Sequence, residues 1–152
     1  MLASNYLVKD ECIRSFAANS LRNSASSYAI SVIILTKNSA KYLKRCLNLL
    51  KQFPEVVIID NGSTDATLEI ASLFTNVKIY TREFCGFGPL KNIGALLATH
   101  DWVLFIDSDE LLDPQLFNTI QDLSLDKHTV YQFYRKNFYG NLLIDGCSWC
   151  ND

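Results

Sequence analysis

Trp102-Val103-Leu104-Phe105-Ile106-Asp107-Ser108-Asp109-Glu110 decides how this chain is read. The apolar run from Val103 to Ile106 leads straight into an acidic cluster. A short unbroken apolar run marks a strand buried on both faces, the kind found inside a parallel sheet. The acids fall at its carboxyl end, where open α/β sheets bind their ligands. If the chain stays extended there, Asp107 and Asp109 point to one side. Two carboxylates side by side repel unless a cation lies between them. A hard divalent ion such as Mg2+ or Mn2+ suits oxygen ligands and can in turn hold a diphosphate. Asp and Ser are also ordinary turn residues, so the short pattern alone favours a solvated acidic turn. The rest of the chain shifts that balance.

With 152 residues, 49% of them apolar, the chain is long enough for one domain with a real core. A net charge of -2 gives no overall electrostatic case for nucleic acid or an anionic membrane. No apolar run approaches the ~20 residues that span a bilayer. Lys9, Asp10 and Glu11 interrupt what would be the apolar part of a secretory signal, so a cytosolic location is expected. Cys12, Cys46, Cys85, Cys147 and Cys150 are odd in number and scattered, which argues for reduced thiols rather than a disulfide framework.

Residues 1–28 read as a weakly patterned extension, with a helix over Lys9 to Leu21 as the one suggestion of order. The organised domain, 29–152, begins with a buried strand over Ser31 to Thr36. Lys37-Asn38-Ser39 is a turn whose serine can cap a helix, and Ala40, Leu43, Leu47 and Leu50 recur at helical spacing. Pro54 ends that segment, and Val56 to Ile59 is a second strand, stopping at the turn Asp60-Asn61-Gly62-Ser63-Thr64-Asp65. A helix follows with Leu68, Ala71 and Phe74 inward, then a third strand, Val77 to Tyr80. A loop, Thr81 to Gly88, precedes a helix that Pro89 should start and whose apolar face is Ile93, Leu96 and Leu97. After the acidic strand, Asp113-Pro114 reads as an N-cap and first turn, with Leu116, Ile120 and Leu123 inward. Thr129 to Tyr134 reads as a strand, Tyr139-Gly140-Asn141 as a turn, and Leu142 to Ile144 as a short return strand.

Strands alternating with helices imply a mostly parallel sheet covered on both faces. Right-handed crossovers then bring Thr36 to Asn38, Asp60 to Asp65 and Asp107 to Asp109 to one edge. That is more polar chemistry than a solvated turn needs, and a binding crevice is the better reading.

These residues resemble a family 2 glycosyltransferase of the GT-A fold. Ser31 to Asn38 resembles its opening strand, and Asp60-Asn61-Gly62-Ser63-Thr64-Asp65-Ala66-Thr67 its D-[DN]-G-S-x-D-x-T signature. Lys91-Asn92-Ile93-Gly94-Ala95 resembles the family's basic-Asn-x-Gly helix start, and Asp107-Ser108-Asp109-Glu110 its D-x-D. The motifs stand in family order and span residues 30–113. Phe84 to Asn92 and Trp102 to Glu110 further resemble the bacterial lipopolysaccharide-core subgroup described as heptose β-1,4-glucosyltransferases.

The resemblance implies a Rossmann-like nucleotide-diphospho-sugar-binding fold and inverting transfer of a sugar from a nucleotide-sugar donor to a glycan or lipid-linked glycan acceptor of the cell envelope. It implies Mn2+ or Mg2+ held by Asp109 with Asp107 beside it, Asp107 leaning toward the donor ribose or sugar. Thr36 and Asn38 line the nucleotide pocket, Asp60 accepts hydrogen bonds from base or ribose, and Lys91 reaches the diphosphate or donor sugar. No nucleic-acid partner is expected; peripheral contact with the inner face of the cytoplasmic membrane is.

Plainer readings stand beside these. Asp65 reads better as a helix cap than as a ligand contact. Lys91 reads equally as a solvated first-turn lysine. Gly86-Phe87-Gly88 lacks the third glycine and the strand-to-helix setting of a dinucleotide fingerprint, and reads as a mobile loop over the donor. Glu110 reads as a supporting or surface acid. The general base of the implied reaction falls to Asp152, the last residue, because Asp145 and Asp152 are the only carboxylates after Asp126. The family's next strand and helix do not follow, so the chain reads as a donor-binding half with its acceptor half incomplete. Cys147-Ser148-Trp149-Cys150 lacks the further ligands of a zinc site and reads as two reduced thiols. The alternatives are a non-catalytic donor-binding fragment and a sugar nucleotidyltransferase. Against the latter, Thr36-Lys37-Asn38-Ser39 has no glycine where a phosphate loop belongs.

Overall fold

The computed structural model describes residues 6–9, 29–123, 125–133, 136–139 and 142–144. In chain order the elements are β1 (Tyr6–Lys9), β2 (Ile30–Thr36), α1 (Ala40–Leu49), β3 (Glu55–Asp60), α2 (Thr67–Ser72) and β4 (Val77–Thr81). They continue as α3 (Phe87–Leu97), β5 (Trp102–Phe105), α4 (Pro114–Asp122), β6 (Tyr131–Gln132), β7 (Asn137–Tyr139) and β8 (Leu142–Ile144).

The main sheet runs β4-β3-β2-β5-β1-β6. Its β4, β3, β2 and β5 are mutually parallel, and β1 pairs antiparallel with both β5 and β6. The separate ribbon β7–β8 is antiparallel, and β8 matches the return strand read over Leu142 to Ile144; Gly140 and Asn141 of the expected turn lie outside the described residues. Helices cover both faces, as the unbroken apolar strands require. Val32, Ile34, Val56 and Ile58 pack under α1, α2 and α4, whereas Ile33, Val57 and Ile59 pack under α3. Alternate residues of one strand thus serve two cores, and the buried polar residues Ser31, Thr36, Glu55 and Asp60 stand only at the strand ends. Each fully buried apolar side chain contributes roughly 1.5–3 kcal/mol.

The helices form where their caps and faces direct. α1 buries Leu43, Cys46 and Leu47. α4 opens with Asp113 accepting a hydrogen bond from the Gln115 amide at 2.7 Å and Pro114 in the first turn, and it buries Phe117 and Ile120. Phe53 and Phe117 meet edge to face at 5.3 Å and close the space between α1 and α4.

Several expectations are corrected. α3 starts at Phe87 rather than Pro89, because Gly86 turns the chain with φ 109° and its carbonyl accepts from the Leu90 amide at 3.2 Å. Phe87 and Gly88 therefore belong to a helical turn, not to a free loop. Its buried face is Leu90, Gly94 and Ala95, with Ile93 and Leu97 packed beside them as expected, but Leu96 is exposed, because Gly94 lets the helix sit directly on the sheet and fixes which side faces inward. Of the strand expected over Thr129 to Tyr134, only Tyr131–Gln132 is a strand among the described residues, and Tyr134 lies outside them. Asp126 ties the preceding turn instead, accepting from the His128 amide at 3.0 Å. Tyr6–Lys9 is a strand of the main sheet, which the sequence reading did not anticipate. Lys9 closes that strand, and the rest of the helix suggested to Leu21 lies outside the described residues.

Candidate functional site

The parallel register sets Thr36 against Asp60 at the carboxyl ends of β2 and β3. The Thr36 hydroxyl donates to Asp60 Oδ1 at 2.9 Å. Asp60 Oδ2 accepts the amides of Gly62 at 3.0 Å and Ser63 at 2.9 Å, and Oδ1 also accepts the Ser63 hydroxyl. This carboxylate is fully buried. Burial alone would raise its pKa, but the donors from Ser63, Thr36 and Gly62 outweigh it and hold the pKa below the ordinary carboxylate range. Gly62 adopts φ 81°, the left-handed conformation that this tight turn needs. Asp60 thus shapes the turn. Its oxygens already hold four donors, so a base or ribose contact there has to displace one of them.

The turn after β2 is locked to the turn after β3. Asn38, with φ 52°, donates its amide to the Ser63 hydroxyl at 2.9 Å, and its Oδ1 accepts the Thr64 amide at 2.8 Å. The Ser39 amide donates to the Thr67 hydroxyl at 2.7 Å. Asp65 caps two helices at once, its Oδ1 accepting the Thr67 amide at 3.0 Å and its Oδ2 the Ala40 amide at 3.1 Å. The cap reading of Asp65 therefore holds. Ser39 occupies the N-cap position of α1 but its hydroxyl makes no cap bond. Asp65 supplies that acceptor from another turn, and the freed Ser39 hydroxyl meets the Ser108 hydroxyl at 2.8 Å.

That contact joins the third strand end. The Ile106 amide donates to the Ile33 carbonyl at 3.1 Å, so the pairing of β5 with β2 runs up to the acids. There the chain does not stay extended. The Glu110 amide donates to the Asp107 carbonyl at 3.0 Å, and Glu110 Oε2 accepts the Asp107 amide at 2.7 Å. The premise of an extended Asp107 and Asp109 is corrected: they stand on a tight turn held from below by the buried Glu110. Both aspartates are exposed. Lys91, on the second turn of α3, brings Nζ to 3.9 Å from Asp107 Oδ1 and to 5.7 Å from the Phe105 ring centre. Cys46 lies beneath this turn. Burial, then the charges of Glu110, Asp109 and Asp107, push its thiol up to about 12.

The structure therefore brings Thr36, Asn38, Asp60, Lys91, Asp107 and Asp109 to one edge. Asp145, Cys147, Trp149, Cys150 and Asp152 lie outside the described residues. Among the described residues no group of three or more His, Cys, Asp or Glu side chains converges as a complete metal cage. Mg2+ commonly takes only one or two protein carboxylates, the rest of its shell being water and substrate phosphate, and exposed Asp107 and Asp109 offer that donor set. Ser63 and Ser108 help tie the site together and were not singled out from the sequence; Ser39 was read there as a helix cap, and Glu110 as a supporting or surface acid, of which the supporting role holds. The only local signal for Ser63 and Ser108 is their spacing around each aspartate.

The Glycosyl transferase family 2 profile matches residues 31–145. An uncharacterised glycosyltransferase of Rickettsia typhi is 33% identical over 108 residues, covering 68% of this chain and 37% of that protein. The Staphylococcus aureus poly(ribitol-phosphate) beta-N-acetylglucosaminyltransferase TarS is 37% identical over 111 residues, covering 64% of this chain and 19% of its own length. The crystal structure of S. aureus TarS 1-349 superposes with a TM-score of 0.52 at 36% identity over 59% of this chain and 30% of that one. Glucosyl-3-phosphoglycerate synthase of M. tuberculosis superposes with a TM-score of 0.51 at 22% identity, over 61% of this chain and 40% of that one. The chain thus spans well under half the length of these relatives, and the fold is the GT-A type with a mostly parallel central sheet.

Proposed function

From the premise that the chain belongs to glycosyltransferase family 2, we propose that it binds a nucleotide-diphosphate sugar and serves its inverting transfer to a cell-envelope glycan. One observation carries this reading. The acidic turn Asp107–Asp109 and the buried Thr36–Asp60 pair share one sheet edge, joined through Ser39 and Ser108.

Asp109, with Asp107 beside it, is the pair that would hold Mn2+ or Mg2+, whose chemistry is to offset charge on the leaving diphosphate. Lys91 stands next to Asp107 and supplies a second positive group on the same side. The Thr36, Asn38 and Asp60 network fixes the floor on which the nucleoside lies. Asp60 keeps the turn in shape, and Asn38, exposed at its rim, offers side-chain polarity to the base or ribose. Asp152 is the candidate to take the acceptor proton.

TarS, by its name, transfers N-acetylglucosamine to poly(ribitol-phosphate), which supports a polymeric acceptor for this chain too. The likeness of Phe84 to Asn92 and Trp102 to Glu110 to the lipopolysaccharide-core subgroup favours that acceptor among envelope glycans. Among the described residues no helix is long and apolar enough to cross a membrane. The proposed place of action is the cytoplasmic side, in peripheral contact with the membrane.

The test is calorimetric titration of UDP-, GDP- and ADP-sugars, with and without Mn2+, into this chain and its Asp109→Asn variant. Metal-dependent binding of one nucleotide class, lost in the variant, is the expected result. No binding to any donor by a folded sample overturns the reading. Binding without transfer to any envelope glycan leaves a donor-binding module in place of an enzyme.

A further inference from the structure

The outer face of α1 carries charge of one sign. Lys37, Lys41, Lys44, Arg45 and Lys51 all fall between positions 37 and 52, drawn from 14 basic residues in the chain, and none of its 16 acidic residues falls there. All five are exposed, as are Tyr42 and Asn48. Leu43, Cys46 and Leu47 face inward, so Lys41, Lys44, Arg45 and Asn48 share the opposite side. Among the described residues no carboxylate pairs with Lys37, Lys41, Lys44 or Arg45.

This arrangement works against the helix itself. Lys41 to Lys44 and Lys41 to Arg45 are at the spacings where like charges on a helix repel. Lys41 also lies in the first turn, near the positive end of the helix dipole, where the Asp65 carboxylate is already engaged by the Ala40 amide. An ordinary solvated helix face relieves such strain with interleaved glutamates. Here an external anion would have to provide the relief.

We propose that the α1 face docks on the anionic headgroups of a lipid bilayer. Two observations favour a bilayer over nucleic acid. The cations lie on one convex helix rather than in a groove, which suits a flat charged surface. Tyr42 is 47% exposed beside Lys41, its ring centre 4.8 Å from that Nζ, an aromatic at the level where headgroups meet acyl chains. α1 starts at Ala40, directly after the Ser39–Ser108 contact, so docking this helix holds the mouth of the candidate site close to the surface. A lipid-linked acceptor would be presented there. The docking itself rests on the helix face alone and stands or falls apart from the donor reading.

The test is co-sedimentation of the full chain with vesicles of phosphatidylcholine alone and of phosphatidylcholine mixed with phosphatidylglycerol. Binding is expected only to the mixed vesicles and should weaken as salt shortens the screening length. The double variant Lys44→Gln, Arg45→Gln should bind on the order of 25-fold more weakly, about fivefold per cation. Lys44→Arg should bind like the parent chain. The double variant should keep or slightly raise its thermal midpoint, because both repulsions with Lys41 are gone, and should keep its calorimetric response to nucleotide-sugars, which separates this surface from the donor site. Absence of binding to mixed vesicles at low salt overturns the proposal. So does equal binding to both vesicle types, or a double variant that binds unchanged. Duplex DNA that binds this face as tightly as the mixed vesicles at the same salt overturns the lipid assignment.

Discussion

Ser39 and Ser108 lie 69 positions apart in sequence and meet hydroxyl to hydroxyl at 2.8 Å. One stands at the start of α1, the other on the acidic turn after β5. The contact is partly buried and crosses from the end of β2 to the end of β5, the two neighbours in the sheet that bound the crevice.

Removing either hydroxyl leaves the other without this partner. Ser39→Ala and Ser108→Ala should each cost about 1 kcal/mol of stability, and the double variant little more than either. A coupling of about 0.5–1.5 kcal/mol in the double-mutant cycle, read by urea unfolding, is the expected outcome. Strict additivity would show that the contact does not form in solution.

Gly94 gives the family motif after Lys91 a physical meaning. A Cβ at this position would run into the Cγ2 methyl of Ile33 on the sheet beneath, with Ile59 Cγ1 at 3.5 Å. Gly94→Ala should therefore destabilise the protein by about 1–3 kcal/mol despite alanine's better helix propensity. Thermal unfolding in an Ile33→Ala background checks the cause: with the Cγ2 methyl removed, Gly94→Ala should cost less there than in the parent chain.

Lys91 separates its two readings cleanly. If its ammonium, 3.9 Å from Asp107, serves the diphosphate, Lys91→Ala should weaken nucleotide-sugar binding by about tenfold, near 1.4 kcal/mol. A solvated lysine predicts no change. Titration of the donor into the variant decides, with the unfolding midpoint as the control for intactness.

The opposite edge of the sheet holds a buried acid that sets the acid limit of stability. Glu55 is 3% exposed and accepts from Ser31, from Lys78 Nζ at 2.6 Å, and from the Thr99 amide and hydroxyl at 2.7 Å each. Burial pushes its pKa up, but Lys78, Ser31 and Thr99 together hold it down at about 2, against an ordinary 4.5. A depressed carboxylate stabilises the fold above its unfolded pKa and loses that contribution as pH falls through the folded one. Stability on the order of 3 kcal/mol should disappear between about pH 4.5 and 2. Asp60, also depressed, adds to the slope in the same direction. Glu55→Gln should be less stable at neutral pH and show a flatter acid titration when followed by circular dichroism.

Cysteine reactivity reports the charge beneath the acidic turn. Cys85 is exposed, whereas Cys46 is buried and its thiol is pushed up to about 12. Iodoacetamide at pH 8 should alkylate Cys85 readily and leave Cys46 untouched until the protein unfolds, as read by peptide mass spectrometry.

Much of this could be read from local chemistry. Val32 to Leu35, Val56 to Ile59 and Val103 to Ile106 are apolar without a break, and only a strand covered on both faces accepts such a run. Asp113-Pro114 and the Asp60 to Asp65 turn carry their own cap and turn chemistry, so their places could be read from neighbours a few residues away. The convergence of three polar strand ends followed from handedness alone.

What the tertiary structure decided depends on partners far apart in the chain. Asp60 became a buried keystone because the register set Thr36 against it, and no local pattern fixes register between strands 24 residues apart. The cap of α1 came from Asp65 on another turn, which released Ser39 to reach Ser108. The acids left the extended path because the carboxylate of Glu110 folds back on the Asp107 amide. β1 joined the sheet antiparallel because an unpaired strand edge at β5 offered hydrogen bonds, a gain that periodicity in so short a segment cannot register. Sequence fixes what each segment can bury and where it can turn; only packing chooses which distant donor meets which acceptor.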